Sequence, residues 1–455
     1  MRARNILRSA AGLGAVLLAS ACDLSTVLDI ADPEVATPQS LEGLAGLPLV
    51  LAGAKADFQL AFGGGTVEGL VNVGGLFTDE LHYASTFPTR YQIDRREIQA
   101  TNSTMEPIHR ILHRARALSL RSAEQYEALQ PGSAGHAESL NLYGYTLVLF
   151  AENYCSGVPL SSLTATGAVE YGEPQTTVQL LEAAVAAFAD AEAVAVQAGA
   201  TQQRHLAAVG RARALLGLGR HADAAVAANG VPTSFSYQVF HSENSARQNN
   251  GSYAYQVIGR RWSVADSEGT NGLPFRSAMD PRVPWMRGTG AQATAFDNSP
   301  LYLTLKYPSY SSPVVLASGV EARLIEAEAA LRAGNGAWLV TLNALRAAPP
   351  SYYPAAQFPG IGAMAPLTDP GSDGARVDML FGERAYWTYL TGHRLGDMRR
   401  LVRQYGRTQA QVFPTGEWGV WTSEKSGDYG TDVNFIIPFD ELNNPQFTGC
   451  LNRDA

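Results

Sequence analysis

Apolar side chains recur at helical spacing through most of the chain. Over residues 104–129 they fall at Ile108, Ile111, Leu112, Ala115 and Leu118, one face of a 3.6-residue period, and Pro131-Gly132 stops the run. The same reading predicts helices over 41–62, 134–152, 176–198 and 202–228, with Thr176 and Thr177 placed as N-caps and a break near Gly217 to Arg220. A helix, a turn at Gly219-Arg220 and an Ala-rich second helix make a hairpin of tetratricopeptide type. A second is predicted at 318–346 with Gly334-Asn335-Gly336 as its turn, and 104–152 offers a third. Residues 230–317 separate these units, so the pattern does not predict a simple solenoid.

That insert has almost no helical period. It is rich in Gly, Asn, Ser, Pro and aromatic residues and reads as loops with a few short strands, Tyr253–Ile258 among them. A second irregular, proline-bearing stretch covers 348–375. A last long helix is predicted from Arg376 to Tyr405, interrupted near Thr391-Gly392, and the tail carries one strand-like run, Val433 to Phe439. The expected fold class is mainly α: tetratricopeptide-like hairpins with a loop-rich insert and few short strands.

The first 22 residues do not belong to that fold. Arg2, Arg4 and Arg8 precede a short apolar run, Ala10 to Leu18, and the small residues Ala19, Ser20 and Ala21 lead to Cys22. This is the layout of a secretory signal, too short for a stable membrane span. Ending in cysteine, it resembles a bacterial lipoprotein signal, which implies cleavage before Cys22 and lipidation of that residue. Residues 23–40 then read as a tether, and 41–455 as one domain. Removing 1–22 takes away three arginines and no acid, so the net charge moves from −8 to −11. Lys55, Lys306 and Lys425 are the lysines, no dense basic cluster occurs, and nucleic acid is not an expected partner. Cys155 and Cys450 remain. In an exported protein they form either one disulfide or two separate buried thiols.

Candidate chemistry is sparse. His109 and His113 lie at i, i+4, a spacing that can hold a metal, but a metalloprotease helix needs Glu after the first His and Arg110 stands there. They read as solvated histidines. Asp79, Glu80 and Glu383 could be imagined as glycosidase carboxylates, though no spacing supports it. No nucleophile elbow, phosphate loop or zinc signature occurs. The expectation is no enzyme, no cofactor and no metal. The insert does concentrate rings, and rings on loops stack on sugar faces. Trp262, Trp285, Tyr253 and Tyr307 are the candidate ligand-binding residues, with Tyr83 and Tyr91 as the fallback location.

One segment is more specific. ERAYWTYLTGHRLGDMRRL, Glu383 to Leu401, resembles the signature helix of the SusD/RagB family, with Gly392, His393, Arg394, Asp397, Arg399 and Arg400 matching its GHR-x-x-D-x-R-R segment. NSTMEPIHRILHRARAL, FAENYCSGVPL, RLIEAEAALRAGN with LNALRA, and FIIPFDELNNP are similar to further family segments in the same order. The resemblance implies a helical, tetratricopeptide-like scaffold with a loop-rich ligand side. It implies an outer-membrane lipoprotein that binds oligosaccharides or peptides and serves a TonB-dependent, SusC-like β-barrel receptor. It carries no ligand-binding residue, and Arg394, Asp397 and Arg400 are expected in internal ion pairs. The rival expectations are a lipid-anchored tetratricopeptide-type scaffold for protein partners and a lipid-anchored glycosidase.

Overall fold

The computed structural model describes residues 38–164, 168–353, 360–422 and 425–455. The signal segment 1–22 with Cys22, and tether residues 23–37, lie outside the described residues. A short N-terminal unit ends at Leu49, and a large unit runs from Val50 to Ala455. The helix Gly43–Gly63 begins in the first and continues into the second. Among the described residues it is the helix long and apolar enough, by composition, to cross a bilayer. From Val50 on, however, Ala54, Phe58, Leu60, Ala61 and Phe62 are buried within the protein, as a core helix requires.

The helical half follows the sequence pattern closely. Met105–Leu129 packs on Ala134–Asn153, which packs on Thr177–Gln197, which packs on Thr201–Gly217, followed by His221–Ala228. Local chemistry sets the starts. Asn102 Oδ1 accepts from the amides of Thr104 and Met105, Ser133 Oγ from that of His136, and Thr176 forms a capping box with Gln179. Phe188 is the knob that locks three of these helices. A Cβ at Gly210 would stand 2.4 Å from its ring and one at Gly144 2.8 Å, so both positions need the bare backbone.

The insert does not interrupt the stack in space. Gly319–Arg332 packs directly on His221–Ala228, then on Ala337–Ala347 and Asp373–Trp387. The insert leaves and returns at one place: Ser236–Val239 pairs antiparallel with Val314–Ser318, Ser236 opposite Ser318. The hairpins separated in sequence are therefore neighbours, because the apolar faces of 221–228 and 319–332 need each other as cover.

Two strand expectations fail. Tyr253–Ile258 is a π-helical turn, its spacing carried by Gly259 N–H to the Ala254 carbonyl at 2.7 Å. Asn250 Oδ1 accepts from the amide of Tyr253 at 3.0 Å and turns the chain where alternating Tyr, Tyr and Val suggested a strand. The run 433–439 is extended without a ladder. It makes one bridge, Tyr154 to Phe435, and Pro438, which has no N–H, precedes the turn Phe439–Asn443. The tail is held differently. Cys155 is bonded to Cys450 with 5.9 Å between Cα atoms, and Ser156 exchanges backbone hydrogen bonds with Asn452 and Leu451. A closure spanning 295 positions is worth roughly 5 kcal/mol on the chain-entropy estimate.

The segment from Gly392 to Leu401 is a buried ionic clamp. Arg394 makes paired 2.7 Å bonds to Asp79. Arg384 and Arg400 converge on Asp397, and Arg400 also reaches Glu328. Burial alone would raise Asp397 and Glu328; the two guanidinium groups outweigh it and hold both carboxyls below the usual range. Arg399 donates to the carbonyls of Ala151, Glu152 and Tyr154, covering the orphan acceptors at the end of Ala134–Asn153. The expected internal role of Arg394, Asp397 and Arg400 is what the structure shows. The three imagined glycosidase carboxylates are also committed internally. Asp79 holds Arg394, Glu80 accepts from the Leu390 amide at 2.8 Å, and Glu383 binds Arg282 and Arg346.

Candidate ligand-binding surface

The region around Tyr83 and the insert turn out to be one place. Leu81–Tyr83 pairs antiparallel with Trp262–Val264, Tyr83 opposite Trp262. The pairing continues past the ladder: Ala84 N–H donates to the Arg261 carbonyl at 2.7 Å, and Phe296 N–H to the Ala84 carbonyl at 3.2 Å. Residues 84–87, 260–261 and 296 are thus brought side by side over a small apolar base of Ala84, Ala295, Leu301 and Leu303.

What this base presents outward is aromatic and cationic. Phe87 and Phe296 are 45% and 48% exposed, large values for phenylalanine in a protein with a full core. The Arg261 guanidinium lies 4.8 Å from the Phe87 ring centre and 4.9 Å from that of Phe296. Arg260 stands 5.0 Å over Phe296, and Arg90 5.1 Å over Phe87. Arg90 is tied to Glu68, Arg260 to the Ala291 carbonyl, and Arg261 reaches Ser85 Oγ at 3.4 Å. Arg260 adopts φ 51°, a left-handed conformation that costs an ordinary side chain energy.

Beneath lies a buried support. Lys425 Nζ donates to Asp297 Oδ2 at 2.5 Å and to the Tyr83 carbonyl. Around it stand Tyr91 at 5.0 Å, Tyr83 at 5.4 Å, Trp421 at 5.5 Å and Trp418 at 5.7 Å. Asp297 also accepts from Ser299. The loop bearing Phe296 is therefore fixed to the strand bearing Tyr83. Asp94 accepts from the Tyr83 amide and from Trp418 Nε1. Burial pushes its carboxyl up to about 8 against the pull of Lys425.

Of the four sequence candidates, Trp262 and Tyr307 are fully buried. Trp262 packs edge-on to Tyr83, and Tyr307 donates to the Leu390 carbonyl at 2.6 Å. They pin the insert to the core and offer no face to a ligand. Trp285 and Tyr253 keep partial exposure. Trp285 donates to the Arg276 carbonyl and abuts Tyr302 at the edge of the same strand system, while Tyr253 packs against Tyr310. Tyr83 is buried and Tyr91 half-buried in the support. Counting Trp and Tyr rings passed over Phe87 and Phe296. The usable signal was Phe87-Pro88, an aromatic residue before proline in a loop close to Tyr83 and Tyr91.

A second concavity of about 540 Å³ lies between Lys55, Glu138, Tyr237 and the 75% exposed Phe240. The histidine expectation needs correction as well. His109 is buried and His113 half-buried, both packed against Phe150 with Nε2 atoms 3.2 Å apart.

No family model matches the sequence, and no curated protein matches it. Solved structures do. A putative sugar binding protein from Bacteroides vulgatus superposes with a TM-score of 0.62 at 15% identity, over 91% of this chain and 99% of that one. A SusD superfamily protein from Bacteroides thetaiotaomicron gives 0.61 at 14% identity, over 89% and 99%. Surface glycan-binding protein A from Bacteroides uniformis gives 0.60 at 12% identity, over 89% and 98%. Identities this low establish the fold: the chain has the helical, tetratricopeptide-like architecture of SusD-like proteins.

Proposed function

We propose that this chain is a SusD/RagB-type glycan-binding lipoprotein, anchored through Cys22 at the outer membrane, that captures oligosaccharide for a TonB-dependent β-barrel transporter. The observation that carries the reading is the exposed pair Phe87 and Phe296 with Arg261 between them. A pyranose buries its C–H face on such rings, and guanidinium N–H groups donate to its hydroxyls or carboxylates. Three guanidinium groups on one surface of a chain of net charge −8 favour sugars carrying acid groups. The SusD-like fold supports the same reading, as do its sugar-binding and glycan-binding structural neighbours. The protein binds and does not catalyse. The carboxylates that might have served as acid and nucleophile are spent on Arg394, Leu390 and Arg282.

The test is a binding screen of the full-length protein in mild detergent against neutral and uronate-containing oligosaccharides and against peptides. Uronate-containing chains are expected to bind, more weakly as salt rises. Binding that survives loss of both Phe87 and Phe296, or that is confined to peptides, defeats the assignment. Pull-down in the same detergent is expected to recover a β-barrel receptor in fixed ratio.

A further inference from the structure

His109 and His113 sit one turn apart on one face of Met105–Leu129. Their Nε2 atoms stand 3.2 Å apart, and the two rings pack against Phe150. The third group comes from the far end of the chain. A carboxylate oxygen of Glu441, in the turn Phe439–Asn443, joins the two imidazoles in a set of ligand atoms that all lie within 4.8 Å of one another. A cavity of about 340 Å³ opens onto all three.

We infer that His109, His113 and Glu441 form a binding site for a divalent cation of the zinc class, clamping the C-terminal tail to the helix. Two nitrogens bonded to one tetrahedral zinc at about 2.0–2.1 Å stand about 3.3 Å apart; here they stand 3.2 Å apart. Without the ion, one Nε2 carries a proton and donates to the other. With it, that ring holds its proton on Nδ1 instead, and both Nε2 lone pairs face the cation. Glu441 would supply the third ligand and water the fourth. Two imidazoles and one carboxylate suit zinc-like ions over calcium or magnesium, which take all-oxygen shells. Arg116 opposes the cation from beside His113 and Glu441, although its guanidinium is engaged by the Ser161 carbonyl. Arg110 and Arg114 also line the cavity, and each is paired, with Glu106 and Asp57. Micromolar affinity is therefore expected. The clamp would act on the same tail as the Cys155–Cys450 bond, at a second point.

The experiment is a Co²⁺ titration of the full-length protein after chelation and dialysis. Visible absorption bands of a tetrahedral site are expected, displaced by Zn²⁺, and Zn²⁺ at about a hundred times its Kd is expected to raise the unfolding temperature. His113→Ala and Glu441→Gln should each lose at least tenfold in Co²⁺ affinity while keeping the helical circular dichroism spectrum. Glu441→Gln preserves size and polarity, so its loss reads the ligand and not the fold. Absence of Co²⁺ bands and of any zinc-dependent shift overturns the site. So does unchanged affinity in both variants, or an equal response to Ca²⁺ and Zn²⁺. No glycan enters the assay, so its outcome is independent of the ligand-binding reading.

Discussion

The clamp at 392–401 and the surface at Phe87 and Phe296 are both built on arginine, and they use it oppositely. In the clamp, Arg384, Arg394 and Arg400 are buried and each faces a carboxylate. On the surface, Arg260 and Arg261 lie over half-exposed rings and are engaged by a carbonyl and a hydroxyl. Buried charge is tolerated where geometry pairs it fully, and it then sets the fold. Half-exposed guanidinium on aromatic faces leaves donors for something outside. The two regions are joined through one short segment, since Asp79 and Glu80 serve the clamp and Leu81–Tyr83 begins the surface. A rigid base thus positions the rings.

The largest effect should come from breaking the clamp. Asp397→Ala leaves Arg384 and Arg400 sharing Glu328 and is expected to cost about 3–5 kcal/mol in urea unfolding. Loss of ligand binding without loss of stability would show that the clamp is part of the site, erasing the distinction. Trp262→Ala should behave like a clamp mutation, at about 3–5 kcal/mol, because its ring is core.

Phe87→Ala and Phe296→Ala should do the reverse. Each is expected to weaken glycan binding about tenfold, roughly 1.4 kcal/mol, with the thermal midpoint nearly unchanged. Calorimetric titration beside a melting curve separates the two behaviours; a fall in both would make the rings structural.

A smaller, pH-dependent effect sharpens the contrast. Burial pushes Glu80 and Asp94 up to about 8 and Glu268 up to about 7. Their folded values lie above their unfolded ones, so they stabilise the protonated fold at low pH, and that contribution is lost as pH rises from about 4 through 7 to 8. His82 and His109, held down at about 3, and His241, held at about 4, work the other way, as does His113: their contribution is lost as pH falls below about 6.5. Above pH 8 Lys306, lowered to about 8 by burial, begins to oppose the carboxylates. Thermal midpoints should therefore peak between pH 6 and 7 and fall toward 8, with Glu80→Gln flattening the alkaline side. A midpoint still rising from pH 7 to 8 contradicts neutral carboxyls beneath the surface. Smallest of all, Phe240→Ser should leave glycan affinity within twofold, because that ring borders the other concavity.

Much of the helical half was legible in the sequence. Periodicity placed the helices 105–129, 134–153, 177–197 and 319–332 nearly to the residue, because each buries one face and starts at a local cap. The break between Trp387 and Arg394 was legible from Thr391-Gly392, and Gly392 does adopt φ 73°. The ring count failed at the insert because ring density marks anchoring as readily as recognition. Trp262 and Tyr307 fill the core, while Phe87, far away in sequence, reaches the surface.

By itself the sequence determined where most helices begin and end and where the last long helix breaks. Those features depend on neighbours three or four residues away, and local chemistry suffices for them. Tertiary structure decided the rest. It made the hairpins around the insert contiguous, turned Tyr253–Ile258 into a π-turn, joined Cys155 to Cys450 and brought the histidine pair beside Glu441. It also chose Phe87 and Phe296 over Trp262 as the exposed rings. Apart from the π-turn, which Asn250 and Gly259 set locally, these depend on packing against distant segments, and exposure is a property of the packed chain that no local pattern encodes.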